Sequence, residues 1–375
     1  MRQLTPDDAR YAVLGGGVFA CGGGGWQHHG QLMGSLATQL ETPVLVSPEE
    51  LDPQTWVATV TAIGAPAAKD WEIRPKDYIS ALSKLMEVSD HPIGAVMTGQ
   101  NGYSTTLNGW IQSAALGVKV LDAAGDVRAH PTGKLGSLGL TTRPNYQTIQ
   151  VVAGGNREQH GHLLSVNYGR VDTTDDVLRD ISVRAGGFIA AARNPVELDW
   201  VKNHAALGAI SLALDLGQAM EEAGAARLDQ GPAVIQAVLD FLEAEVITQG
   251  PLQHRVALET RGGWDHGTFA IGDYSVPYLN EYMAITGPQG RIATYPDTIF
   301  ILDQKSGLPL AVKDAKPGME VLLAKVAAHK LPLSSSALDP VALAECQDIM
   351  GIDFLSYLPH RQKSAETAAN NGRPQ

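Results

Sequence analysis

The chain has 375 residues, with 28 lysines and arginines against 40 aspartates and glutamates, for a formal net charge of −12. That balance excludes a surface basic enough overall for nucleic acid, so no nucleic-acid partner is expected. At 44% hydrophobic and 18% charged the chain should fold over most of its length, and that length suits two domains better than one core.

Two cysteines, Cys21 and Cys346, stand far apart and in no metal-ligand spacing, which suits a reducing compartment and excludes a disulfide scaffold. No stretch reaches the ~20 apolar residues of a membrane span. Val18-Phe19-Ala20-Cys21 superficially resembles a lipoprotein cleavage box, but Asp7 and Asp8 leave the start without the positive charge of such a leader. A cytoplasmic protein with no membrane partner is expected.

In chain order, Thr5-Pro6-Asp7-Asp8 predicts a capped helix start, and the helix is expected to stop at Gly15-Gly16-Gly17. A glycine run, Gly22 to Gly25, precedes a second helix from about Trp26 to Leu40. Strands are expected at Val44–Val46 and Trp56–Ile63, with a helix from about Lys76 to Val88. Then comes a βαβ pattern: strand Ile93 to Met97, loop 98–102, helix Ser104 to Leu116 and strand Val118 to Leu121. Such a unit implies parallel strands with Gln100, Asn101 and Asp122 at their carboxyl ends, where open α/β sheets bind ligands.

Beyond about residue 145 the pattern changes. Gln147–Val152, Leu163–Tyr168 and Gly187–Ala192 read as strands and Thr174–Arg184 as a helix. Ala- and Leu-rich helices follow at about Val196–Ala223, with a break, and Pro232–Glu245. Short strands are then expected at His254–Glu259, Thr268–Ile271, Val276–Ile285, Arg291–Thr294 and Thr298–Leu302. The fold class expected is an α/β domain with a partly parallel sheet over residues 1–168, and a mixed α+β, β-rich domain over 169–358. Residues 359–375 are polar and aperiodic, which predicts a disordered tail. There is no internal repeat.

Several segments invite chemistry. The glycine run lies just ahead of a helix N-terminus, where unpaired N–H groups suit an anion or a polarised carbonyl, although a hinge is an equal reading of the glycines alone. It lacks the Gly-Lys-Ser/Thr of a phosphate loop and follows a helix rather than a strand, so no nucleotide cofactor is expected. His28 and His29 diverge by about 100° on a helix, leaving one for a cavity and one for solvent. His160 and His162, at i and i+2, would share one face of a strand and could hold a zinc-like ion; the alternative is a turn with two exposed imidazoles. Residues 122–130, DAAGDVRAH, gather Asp122, Arg128 and His130 behind a strand end. Asn280, Glu281 and Asp297 lie near strand ends in the second domain.

The ordered series CGGGG (21–25), IGAP (63–66), GQNG (99–102), VLDAAGDVRAHPTGKLGSLGL (120–140), NEYMAI (280–285) and ATYPDTIFILD (293–303) resembles the S-methyl thiohydantoin desulfurase domain family, from the first glycines to about Ala324. The resemblance implies an N-terminal α/β domain, a C-terminal domain richer in β-structure, and hydrolysis on a cyclic amide-like ring. Water would attack the carbon bearing the S-methyl group, and methanethiol would leave. Some relatives are associated with hydantoinase or oxoprolinase proteins. Gln100 departs from an acidic loop in many relatives and cannot serve as a base.

For such a reaction, the N–H groups of Gly23, Gly24 and Gly25 would bind a ring carbonyl or oxyanion, Asp122 or His130 would activate water, and Arg128 would hold an anionic group. His28, Gln100, Asn101, Asn280, Glu281 and Asp297 complete the expected binding set. One divalent ion, zinc by preference, is expected on ligands drawn from His28, His130, His160 and His162. The partner is a small-molecule substrate, and a homo-oligomer is possible. A non-catalytic small-molecule binder or regulatory subunit is the alternative, and a nucleotide-dependent enzyme a third. A site with neither metal, carboxylate nor imidazole would favour the binder.

Overall fold

The computed structural model describes residues 1–225, 227 and 230–358; the expected tail lies outside the described residues. Strand β1 (Arg2–Gln3) leads to helix α1 (Pro6–Phe19), α2 (Gln27–Leu40), β2 (Val44–Val46), β3 (Trp56–Gly64), α3 (Pro75–Val88), β4 (Ile93–Thr98), α4 (Trp110–Leu116) and β5 (Lys119–Ala124). Then follow β6 (Thr148–Gly154), β7 (Leu163–Gly169), α5 (Val171–Arg184), β8 (Phe188–Glu197), α6 (Leu198–His204) and β9 (Ala206–Leu207). The nine strands form one sheet in the order β1-β2-β5-β4-β3-β8-β6-β7, with β9 beside β5. β2, β5, β4 and β3 are mutually parallel, and β8, β6 and β7 continue the sheet antiparallel. β8 enters from beyond residue 168 and lies between β3 and β6, so the sheet draws on chain from both sides of that position.

The alternation of β3 shows how the sheet divides its neighbours. Ala58 and Val60 join Ala81, Leu82 and Leu85 of α3 on one face. Ile63 joins Leu178 of α5 on the other, as a period of two requires.

The second half contains α7 (Ala209–Glu222), α8 (Gly231–Leu242), β10 (Glu245–Arg261), β11 (Trp264–Ile271), β12 (Tyr274–Leu279), β13 (Glu281–Tyr282), β14 (Ala284–Gly287), β15 (Gly290–Thr294), β16 (Thr298–Asp303), β17 (Glu320–Val326) and α9 (Pro340–Met350). Its eight strands form an antiparallel sheet, ordered β15-β14-β12-β11-β10-β17-β16 with β13 beside β12. Val234 and Val238 of α8 and Leu216 of α7 pack with Phe300, Leu302 and Leu322 beneath that sheet.

Four expected elements differ. The helix expected over Val196–Ala223 divides into the end of β8, helix α6, strand β9 and helix α7. Helix α1 starts at the Thr5 cap, with Thr5 and Asp8 bonded reciprocally, but runs through Gly15-Gly16-Gly17 to Phe19. These glycines permit contact rather than end the helix: a Cβ at Gly15 would collide with the Ala213 carbonyl, at Gly16 with the Gly102 carbonyl and at Gly17 with the Tyr103 ring. The helix expected from Ser104 is split into a short turn, Thr105–Leu107, and α4. The strand expected over Val276–Ile285 is broken at Asn280, whose φ is 58°.

Candidate functional site

The carboxyl ends of β3 and β4 open onto a polar cleft between the two halves of the chain, with about 460 Å³ of atom-free space, part of it open to solvent. The first half contributes Gly24, Gly25, Thr61, Gln100, Thr105, His130, Thr132, Arg179, Phe188 and Arg193, and the second half Asn280 and Glu281. Of the residues expected at a site, the fold therefore brings Gly24, Gly25, Gln100, His130, Asn280 and Glu281 together.

The glycine run turns sharply between α1 and α2: Cys21, Gly22, Gly24 and Gly25 all have positive φ, from 47° to 92°. Its carbonyls are shared between the two halves. Ser104 N–H donates to Gly24 O at 3.0 Å, Tyr282 N–H to Cys21 O at 2.6 Å and Val312 N–H to Gly22 O at 2.8 Å. Gly23 does not line the cleft; a Cβ there would collide with Glu281 Oε1, so the missing side chain is what lets this carboxyl approach the turn.

Glu281 is fully enclosed and its carboxyl is pushed up to about 8, first by burial and further by Asp265, against the opposing pull of Arg128 and Arg179. At neutral pH it is therefore mostly protonated. His130 goes the other way, lowered to about 4 by burial. Its Nε2 lies 3.2 Å from Gly99 O, an acceptor only, so Nε2 carries the proton and Nδ1 holds a bare lone pair. Gln100 Oε1 accepts from His130 N–H at 3.1 Å, so the glutamine fixes the histidine backbone.

Among the described residues, buried polar atoms without a hydrogen-bond partner include His130 Nδ1, Glu281 Oε2, Thr105 Oγ1 and Arg193 Nε, and all four residues line this cleft. Such orphans are uncommon because each costs about 1–3 kcal/mol. Together these residues hold a lone pair, an acid hydroxyl, an alcohol and a guanidinium N–H that no protein group satisfies. Arg193 is otherwise held by Asp175 at 2.7 Å, both side chains being 3% exposed, while Thr132 Oγ1 donates to the second Asp175 oxygen at 3.1 Å.

Other expected site residues lie elsewhere. Asp122 caps α7, accepting from Ile210 N–H, Ser211 N–H and Ser211 Oγ, and it is not among the residues lining the cleft. Arg128 is fully buried and donates to Ala129 O, Asp297 O at 2.6 Å and Tyr282 O at 2.9 Å; it staples the two halves together rather than facing the cleft. Asn101 donates to Ala209 O and accepts from Thr106. Asp297 accepts from Ala328 N–H and borders a separate hollow with Arg291 and His329.

The histidines expected to bind zinc do not converge. His28 is exposed on α2, while its neighbour His29 is the buried one, 3.2 Å from Tyr78 and edge-on to Trp26 and Trp71. His160 and His162 lie in an exposed turn before β7 rather than in a strand, and His162 stands 3.4 Å from Asp77. Among the described residues no three His, Cys, Asp or Glu side chains are grouped as a metal site requires. The residues present do not fit the expected zinc.

Sequence reasoning missed Arg179, Arg193, Thr105 and Thr132. Arg193 carried a signal: it is the one charge within the otherwise uncharged run Phe188–Val196, and a buried charge needs a partner and a reason. Arg179 sits among other charged residues of α5 and carried none.

Fold and cleft define a two-domain α/β and antiparallel-β protein with a polar site between its halves. The chain belongs to the S-Me-THD-like family: the N-terminal domain model of that family matches residues 7–157 and the C-terminal domain model residues 170–344. A crystal structure of a protein from Chromobacterium violaceum, a structural-genomics target, is similar to it with a TM-score of 0.71 at 19% identity, over 95% of this chain and 98% of that one. This likeness concerns the fold. No curated protein matches the chain. Among the described residues no helix is long and apolar enough to cross a membrane.

Proposed function

We propose that the protein is a hydrolase of hydantoin-like rings that replaces a ring S-methyl group by oxygen and releases methanethiol. The observation that carries this reading is one cleft lined by four residues that each hold a buried polar atom without a partner. A ring with alternating N–H and C=O or C=N groups complements it, giving a donor to His130 Nδ1 and acceptors to Glu281 and Arg193. Family membership supports the same substrate class.

The proton inventory supports hydrolysis. As water attacks the carbon bearing sulfur, His130 Nδ1 takes one of its protons and the Glu281 carboxyl gives its own to the ring nitrogen. The tetrahedral centre then collapses: the hydroxyl proton returns to Glu281, the C–S bond breaks, and the departing sulfur takes the proton from His130. Both groups end as they began, with one water consumed and one methanethiol formed. Arg193 and Arg179 can hold an anionic group of the substrate.

The alternative of a non-catalytic binder predicted a cleft without imidazole or carboxyl; the presence of both supports the enzyme. The test is methanethiol release and hydantoin formation from a panel of S-methyl thiohydantoins and hydantoins, by native protein and by His130→Ala and Glu281→Gln. Turnover by native protein, its loss in His130→Ala and a strong but measurable fall in Glu281→Gln are expected. Tight binding without turnover would overturn the hydrolytic reading.

A further inference from the structure

Asp265, at the start of β11, is 1% exposed and joins its own hairpin turn to Asn280 and to the distant segment after β3. Its Oδ2 accepts from Ala67 N–H at 2.6 Å, in the segment that follows β3 and forms one rim of the cleft. Its Oδ1 accepts from Thr260 Oγ1 at 2.5 Å, closing the β10–β11 turn on itself. Its backbone is bonded twice to Asn280: Asp265 N–H donates to Asn280 Oδ1 at 2.8 Å, and Asn280 N–H to Asp265 O at 2.6 Å. Asn280 has a φ of 58°, the break in strand pairing that turns the next residue, Glu281, into the cleft.

We propose that Asp265 is a positioning residue for Glu281, fixing that carboxyl through Asn280 and tying it to the cleft rim through Ala67. The inference rests on the acid role given to Glu281 above. Asp265 touches no reacting atom. A left-handed asparagine held only by its own preferences would let the Glu281 backbone relax; two hydrogen bonds to a buried neighbour remove that freedom.

The link is electrostatic as well as mechanical. The charged and titratable groups facing Glu281 are Arg128 from the loop after β5, Arg179 from α5, Asp265 from β11, Cys21 from the glycine turn and Cys346 from α9. The two arginines favour the ionised carboxylate and Asp265 opposes them. Asp265 itself faces His266 and Tyr278, and burial raises its own carboxyl. Taking away its charge leaves burial alone to oppose the arginines, so Glu281 then ionises at lower pH.

The experiment follows the side-chain carboxyl signal of Glu281 by NMR in the full-length protein labelled with ¹³C-glutamate, from acid to alkaline pH. Its disappearance in Glu281→Gln identifies the signal. Asp265→Asn keeps the size of the side chain and removes the charge; Asn280→Gly accepts the same φ and removes only the side-chain acceptor. In both, the Glu281 midpoint is expected to fall below its native value. With an active substrate, Asp265→Asn also lowers kcat more than it raises KM and moves the alkaline limb of the pH profile to lower pH, a change a merely structural loss would not cause. An unmoved Glu281 midpoint in the variants that fold overturns the inference. A shifted midpoint upholds it even where native protein turns over no S-methyl thiohydantoin, an outcome that overturns only the hydrolytic reading.

Discussion

Two histidine-bearing segments make an instructive contrast. His130 lies in the loop after β5 and is buried to 6% exposure, with one nitrogen bonded to Gly99 O and the other bare. His160 and His162 lie in the turn before β7, both exposed, and His162 has only a long contact with Asp77, whose nearer partners are Arg157 at 2.6 Å and Arg74 N–H at 2.8 Å. In sequence the paired histidines had the more suggestive spacing. What separates the segments is water: an exposed imidazole has its needs met by solvent, whereas a buried bare lone pair is unmet until something binds.

The largest expected effect tests that contrast directly. Loss of the His130 side chain should lower kcat/KM by about 10²–10⁴-fold, the usual contribution of a general base, while His160→Ala and His162→Ala leave it within about twofold. Equal losses in both segments, measured as initial rates of methanethiol release, would erase the distinction.

The next effect concerns what holds the cleft. Asp175→Asn leaves Arg193 buried without a matching charge and should destabilise the fold by about 3–5 kcal/mol, read as a lower midpoint of urea unfolding. Asp77→Asn, on α3 beside the other segment, also strips a buried carboxylate of its charge, but Arg157 there keeps a second carboxylate, Glu72 at 3.7 Å, so the loss should be smaller. Gly23→Ala should follow, since its Cβ must displace Glu281: turnover falls and the substrate KM rises, without change in the turn before β7.

The smallest effect is on stability against pH. His130 titrates near 4 when folded but near 6.5 when unfolded, so between these values the unfolded chain binds more protons and stability rises with pH. Glu281 is displaced upward, to about 8 from about 4.5, so between those values the folded chain holds the extra proton and stability falls as pH rises. Glu281→Gln should flatten the decline toward pH 8.

Much of this was legible in sequence, and the failures have physical causes. Alternating and continuous apolar runs were enough for the βαβ unit and most strands of the first sheet. The glycines of α1 were misread because a helix-breaking composition and a close helix contact look alike until Ala213 and Gly102 are seen against them. Glu320–Val326, a strand between β10 and β16, was not recognised because Leu, Ala and Lys fit a helix as well. At the cleft, residue types near strand ends pointed to His130 and Gln100, but Asp122 and Arg128 looked equally suitable, and Glu281 was expected only as part of the binding set. Only their partners, the start of α7 for one and three carbonyls for the other, distinguish them, and partners distant in sequence are invisible to local spacing.

The most direct test of the central claim is the pH dependence of kcat/KM for an S-methyl thiohydantoin whose own ionisation lies outside the range. A neutral His130 and a protonated Glu281 predict a plateau between about 4 and about 8, with the alkaline limb abolished in Glu281→Gln. A rate that climbs steadily through pH 8, unchanged by that substitution, would contradict the pairing of acid and base in this cleft.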